Sequence, residues 1–276
     1  MERIETLKLN SAVIDIAGNR HIFIFPPGQK PLRSTGGVFP FSGGEPFILC
    51  AHYDRVAGSP GANDNSIAVF QLLSAAVILA QQGIDRWMIV FTDKEELKSG
   101  QSFEEQGSYT LAEKLKTWRL ERAKIYNFDV CGAGNVFLFS TTTDHILKES
   151  ERPNIGKLRE TLSHLRAHAL QTASKMNLNK FLLAPIPFSD DAGFLRAGLA
   201  AQTITVLPAE EAAQYETLLR SRPEFAKILI SGIKDPSERR RLPETWRMLN
   251  NASDTHSRLT PQFFDQVVRF AVELCR

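Results

Sequence analysis

His52-Tyr53-Asp54 is followed after a short loop by Gly61-Ala62-Asn63-Asp64-Asn65. Together they place one imidazole and two carboxylates around a single turn. Imidazole nitrogen and carboxylate oxygen are ligands that zinc accepts, and a catalytic zinc site keeps room for water. Further along the chain, Asp93-Lys94-Glu95-Glu96, Asp129 and Ser253-Asp254-Thr255-His256 offer more groups of the same kind. The chemistry these groups could perform is metal-assisted hydrolysis.

Each group also has an ordinary explanation. Asp64 could serve only as a helix N-cap. His52 could be a satisfied histidine at a strand end. Glu95-Glu96 could be a solvated turn, Asp129 a loop cap, and Asp254-Thr255-His256 an exposed turn. What sets them apart is where they fall in the pattern of elements.

The apolar runs Phe47–His52 and Trp87–Thr92 read as buried strands, as do Lys124–Val130, Val136–Ser140 and Ala201–Leu207. Helices are expected over Asp64–Gln82, Ser108–Trp118 and Ile155–Met176. A last helix is expected over Pro261–Cys275, with Thr260 as cap. Ala12–Asp15 and His21–Phe25 flank Gly18-Asn19 as a hairpin, and Pro26–Pro46 reads as loop. Alternation of this kind predicts an α/β fold of three layers: a mostly parallel, mixed central sheet with helices on both faces. In such sheets ligands bind beyond the carboxyl ends of the strands. His52, Asp93–Glu96 and Asp129 stand at three such ends.

The chain has 276 residues, 43% of them hydrophobic, which suits a single domain over 1–276 with a substantial core. Residues 144–184 and 208–250 are long for connections and are expected to be helical insertions able to cap a site. A net charge of +2 gives no reason to expect nucleic acid or an anionic membrane as partner. Arg239-Arg240-Arg241 beside Glu238 reads as a solvated face, with an anion site as the alternative. Ile67–Ala80 reads as a buried core helix. The opening residues lack the pattern of a leader, and Cys50, Cys131 and Cys275 are read as buried thiols. A reducing, cytoplasmic setting is therefore expected.

His-Tyr-Asp, Gly-Ala-Asn-Asp-Asn, Glu95-Glu96, Asn-Phe-Asp129 and Asp-Thr-His256 resemble, in order and spacing, the two-zinc aminopeptidase family. That family is related to glutamate carboxypeptidase II and the glutaminyl cyclases. The likeness runs from about residue 46 to the end of the chain. Pro187-Phe-Ser-Asp190-Asp191-Ala-Gly-Phe194 resembles the family's Ser-Asp segment. Asp191 stands where many members carry histidine or another residue, so Asp190 and Asp191 are read first as part of a helix cap at Ser189 or Asp190.

The resemblance implies the zinc-aminopeptidase (phosphorylase/hydrolase-like) fold and two zinc ions per chain. It makes His52, Asp64, Glu96, Asp129 and His256 their ligands, with Asp64 shared by both ions. It implies that Glu95 is the general base, and that Asp54 accepts a hydrogen bond from the far nitrogen of His52 and so orients the ring. The implied substrate is a peptide or small amide with a free N-terminus. Manganese and cobalt would suit the same nitrogen and oxygen donors. Charge supports a cationic centre, because Asp64, Glu95, Glu96 and Asp129 would repel one another without one. Phe188, Phe194 and Trp246 are read as core residues, with a pocket wall as the alternative. Two other functions fit the fold: a single-zinc acyltransferase like glutaminyl cyclase, and a non-catalytic binding protein.

Overall fold

Phe47–His52 and Trp87–Thr92 are buried at every position, which requires cover on both faces of the sheet. The computed structural model describes residues 1–29, 45–98, 100–148, 155–178 and 180–276. Its strands are β1 (Asn10–Ile16), β2 (Asn19–Phe25), β3 (Phe47–His52), β4 (Trp87–Thr92), β5 (Lys124–Phe128), β6 (Val136–Ser140), β7 (Phe181–Ala184) and β8 (Ala201–Leu207). They form one sheet in the order β1-β2-β4-β3-β5-β8-β6-β7. β3 pairs in parallel with both β4 and β5, β5 with β8, and β6 with β7. The pairs β1–β2, β2–β4 and β6–β8 are antiparallel.

The helices are α1 (Glu2–Thr6), α2 (Ile67–Gln81), α3 (Gly107–Thr117), α4 (Thr142–Lys148), α5 (Ile155–Lys175), α6 (Asp190–Arg196), α7 (Ala209–Ser221), α8 (Phe225–Ile230), α9 (Pro236–Arg239), α10 (Glu244–Arg247) and α11 (Phe264–Leu274). Strand side chains alternate between the two faces. Phe47, Leu49 and Ala51 join α2, α5 and α11 in one core. Ile48 and Cys50 join α3 and α6 in a second. Val136, Leu138 and Leu207 pack with α7, α8 and Trp246 of α10 in a third.

Several expectations change. The helix expected from Asp64 begins at Ile67. Asp64 lies before it in a turn, Ala62–Ser66, with φ −120° and ψ 81°, and does not act as a helix cap. α5, which falls inside the 144–184 segment expected to be a helical insertion able to cap a site, packs its buried face in the main core. β7 also falls inside that expected helical segment. It is a short edge strand with exposed Phe181 and Leu183, so it carries no buried alternation to reveal it. The last helix opens with a 3₁₀ turn, Pro261–Phe263, and the Thr260 hydroxyl accepts the N–H of Gly134 without capping it. Residues 30–44 of the expected Pro26–Pro46 loop, and 149–154 and 179 of the expected 144–184 insertion, lie outside the described residues.

β3 is the strand at which the order turns, with β4 on one side and β5 on the other. His52 lies opposite Thr92 in register, so the residues after β4 rise beside it. Those after β5 rise on the other side.

Candidate metal centre

The imidazole of His52 is fully buried. Its Nδ1 lies 3.1 Å from the backbone carbonyl oxygen of Asp54. A carbonyl only accepts, so the ring carries its proton on Nδ1 and Nε2 offers a lone pair when the ring is neutral. Nε2 lies 3.0 Å from Oδ1 of Asp64 and 3.4 Å from Oδ1 of Asp129. One ligand atom from each of these three residues falls within 4.8 Å of the others. Three electron-rich atoms facing one another repel unless a proton or a metal ion sits among them. Nε2 of His52, Oδ1 of Asp129 and Oε1 of Glu96 are buried without a hydrogen-bond partner, so the donor set fits a cation.

Protons respond to the same crowding. Burial alone would lower the pKa of His52, but the carboxylates of Asp129, Asp54 and Asp64 outweigh it and hold the ring well above its ordinary value. Burial raises Asp64, against the pull of His52. Burial, with the charges of Asp129, Asp190 and Glu96, raises Glu95 well above the carboxylate range. Burial, with Asp64 and Asp129 nearby, pushes Glu96 up to about 8.

Neighbouring loops hold these groups in place. Gly61 precedes the turn with φ 64°, and a Cβ there would meet the backbone oxygen of Asp64 at 3.0 Å. That position therefore requires glycine. Asn65 donates to the carbonyl of Phe128 at 2.8 Å and accepts the N–H of Val130 at 3.3 Å, bracketing Asp129. Asn63 Oδ1 accepts the N–H of Gly132 at 2.8 Å. The Asp254 carboxylate accepts the N–H groups of Asn63 and Asp64.

Asp54 acts on both sides of the site. The carboxylate expected to take the Nδ1 proton of His52 lies 3.6 Å away, beyond a normal hydrogen bond, and the backbone carbonyl of the same residue takes it. The carboxylate is engaged elsewhere: it accepts the N–H of Glu95 at 3.0 Å and of Glu96 at 3.1 Å. Burial opposes its charge, but His52 and these two N–H groups hold its pKa below the usual value.

A cavity of about 200 Å³ opens on the site. Asp64, Glu95, Glu96 and Asp129 line it with Gln106 and Thr205, and Leu97, Phe103, Phe188 and Trp246 are among its apolar walls. Of the three aromatic residues read as core, Phe188 and Trp246 face this cavity, while Phe194 is buried in the second core. Glu96 shares the cavity but stands outside the group of three. His256 begins an exposed 3₁₀ turn, His256–Arg258, that packs on the Ala62–Ser66 turn, and it also stands outside the group. Ser189 occupies the N-cap position of α6 without a side-chain cap bond. Asp190 and Asp191 are buried, and burial pushes them to about 6 and about 7. Gln106, whose amide meets Glu95, carries no spacing signal in the sequence. Asn63 and Asn65 were legible only as the flanks of Asp64 in their motif.

The model of peptidase family M28 matches residues 39–270. No curated protein matches the chain. Among solved structures, the zinc aminopeptidase BSAP from Bacillus subtilis superposes with TM-score 0.56 at 17% identity, over 92% of this chain and 49% of that one. The chain thus spans about half the length of that enzyme. The glutaminyl cyclase of Porphyromonas gingivalis superposes with TM-score 0.59 at 17% identity, over 99% of this chain and 85% of that one. The LapA aminopeptidase of Legionella pneumophila gives TM-score 0.59 at 12% identity, over 99% and 60%. These likenesses show a shared fold.

Proposed function

The chain belongs to peptidase family M28, and from that premise we propose that it is a zinc-dependent aminopeptidase that hydrolyses the N-terminal peptide bond. The observation that carries this reading is the group His52, Asp64 and Asp129 beside the paired Glu95 and Glu96 in one cavity. Among the described residues lining that cavity there is no Lys, Arg or His. None of these lining side chains is therefore placed to pair with a substrate carboxylate.

His52, Asp64 and Asp129 would hold one zinc, and Asp64, Glu96 and His256 a second. Zinc there supplies Lewis acidity, which polarises a carbonyl and brings the pKa of water from about 15.7 toward about 7. Glu95 takes the proton of the attacking water and returns it to the departing amine. Its place in the cavity beside Asp64, Glu96 and Asp129 puts its carboxylate within reach of a water held there. Asp54 fixes the backbone at Glu95 and Glu96, so the base and the adjacent ligand are set by one carboxylate. The apolar walls exclude water and would receive the side chain of the first residue. The three buried free thiols suit a reducing, cytoplasmic setting.

One observation favours a second reading. The fold match covers 85% of the glutaminyl cyclase chain but 49% of the B. subtilis aminopeptidase chain. A single-zinc acyltransferase acting on N-terminal glutamine is the corresponding activity. One experiment separates the two: zinc-loaded protein is given aminoacyl chromogenic amides, their N-acetyl counterparts and a glutaminyl peptide. Release of the first amino acid from free but not acetylated substrates is expected. Equal cleavage of both overturns an exopeptidase, and cyclisation without release of an amino acid selects the acyltransferase.

A further inference from the structure

We propose that Gln106 is a positioning residue that orients the carboxylate of Glu95 through a clamped side-chain amide; the inference rests on the reading of Glu95 as the base. Gln106 is buried at the edge of the cavity, immediately after the 3₁₀ turn Phe103–Glu105. Its Nε2 lies 3.2 Å from the carbonyl oxygen of Glu95 and 3.2 Å from its Oε1. Its Oε1 accepts the Ser108 hydroxyl at 3.1 Å and the backbone N–H of Gly193 at 2.9 Å.

These contacts settle which way the amide faces. A backbone N–H can only donate, so the oxygen must face Gly193 and the nitrogen must face Glu95. An amide offers two N–H donors and two acceptor sites. Here both donors go to Glu95 and both acceptor sites are filled from α3 and α6. The clamp has no freedom to turn, and it holds one oxygen of Glu95 while the residue faces the cavity.

The surrounding backbone is shaped to permit this. A Cβ on Gly193 would lie 2.8 Å from Oε1 of Gln106 and 2.2 Å from the Ser108 hydroxyl. Only glycine lets the first turns of α6 approach the amide so closely. Lys94, just before the base, has φ 59°, so the Glu95 backbone leaves β4 through a tight turn. The carbonyl of Lys94 accepts the N–H of Gly107 at 3.0 Å, which ties the Gln106 segment to that turn. A glutamine that only filled space would need neither bond to Glu95. The bond to its carboxyl oxygen acts on the reacting group itself.

The test compares Gln106→Glu and Gln106→Met in the zinc-loaded enzyme. Gln106→Glu keeps an acceptor for Ser108 and Gly193 but loses the donor to Glu95. We expect kcat to fall about 100-fold in both variants, within the range a general base contributes. KM should change less than about twofold, with unchanged zinc content, because the residue acts on the proton-transfer step rather than on uniform binding. Adding Gln106→Glu to Glu95→Gln should slow the enzyme no further, since the clamped group is already gone. In ¹⁵N-labelled metal-free protein, the Gln106 side-chain amide resonances should shift on Glu95→Gln. That measurement stands even if a Gln106 variant fails to fold. Parental kcat in Gln106→Glu, multiplied losses in the double variant, or unmoved amide resonances overturn the proposal. Full turnover by Glu95→Gln would instead remove the base reading on which it rests.

Discussion

The carboxylate of Asp254 accepts the backbone N–H of Asp64 at 3.1 Å, across 190 residues of chain. Its other oxygen accepts the N–H of Asn63 at 2.8 Å, and its carbonyl oxygen accepts the N–H of Ala62 at 3.2 Å. The turn that carries Asp64 is therefore held by the segment that carries His256, two residues further on. Asp254 reads in the sequence as part of an ordinary turn. In the fold it joins the two ends of the proposed ligand set.

Replacing Asp254 tests that link. Asp254→Ala leaves two buried N–H groups without an acceptor, at roughly 1–3 kcal/mol each. The expected loss is about 3 kcal/mol in urea unfolding, together with weaker zinc uptake. Asp254→Asn keeps one acceptor oxygen and should fall between. An unfolding midpoint equal to that of the parent would show that the bonds carry no net stability.

Asp54 should matter more for turnover than for stability. Its carboxylate accepts the N–H groups of Glu95 and Glu96. A displacement of the base by about 1 Å can cost about 100-fold in rate. Asp54→Ala is expected to lower kcat by about that factor, and Asp54→Asn by about tenfold. The check is steady-state kinetics with zinc content measured on the same samples. Equal kcat in parent and Asp54→Ala would remove Asp54 from the positioning of Glu95.

Zinc affinity should fall in acid, because the ion must displace protons. Without metal, Glu96 titrates at about 8 and His52 is held protonated well above its ordinary value. Below pH 8 at least one proton leaves for each ion bound, so Kd should rise about tenfold per pH unit from 8 to 6. Competition titration with a chelator measures this. A flat Kd over that range would exclude Glu96 and His52 as ligands.

Stability of the metal-free protein should show the same groups with the opposite sign. Asp191 at about 7 and Glu96 at about 8 lie above their unfolded values, so the folded state binds more protons between about 4 and 8. His52, also raised, contributes stability below its unfolded pKa and loses it as pH rises through the folded value. The Tm of metal-free protein should therefore decline from pH 6 to 8, and zinc should reduce the decline to the part set by Asp191. A Tm that rises over this range without metal would contradict the crowded-carboxylate description.

His21 works in the other direction. Burial lowers its pKa to about 4, and its Nδ1 accepts the N–H of Asp93 at 3.2 Å at the start of the Glu95 loop. Its folded value lies below the unfolded one, so its contribution is complete above about 6.5 and is lost as pH falls toward 4. The size is about 3 kcal/mol. His21→Asn supplies an acceptor that does not titrate here, and it should flatten the acid slope of unfolding free energy relative to the parent. Parallel slopes would show that His21 does not set it.

The sequence by itself determined the buried strands of the sheet and where the candidate site should lie. Phe47–His52 and Trp87–Thr92 are covered on both faces, so they appear as unbroken apolar runs, and the polar residue ending each run marks a strand end. His52, Glu95, Glu96 and Asp129 could be placed together on that ground, and residues 39–270 match the family whose motifs they resemble. Tertiary structure decided what holds those groups. Asp254 bonds the Asp64 turn, Gln106 bonds Glu95, and the carboxylate of Asp54 turns from His52 to the Glu95 and Glu96 backbone. It also decided that α5 is a layer of the core and that Phe181–Ala184 is an edge strand. Hydrophobic period is a local property that survives in one dimension. The partner of a lone buried amide or carboxylate is chosen by which distant backbone the packed sheet brings within about 3 Å, and no spacing along the chain records that choice.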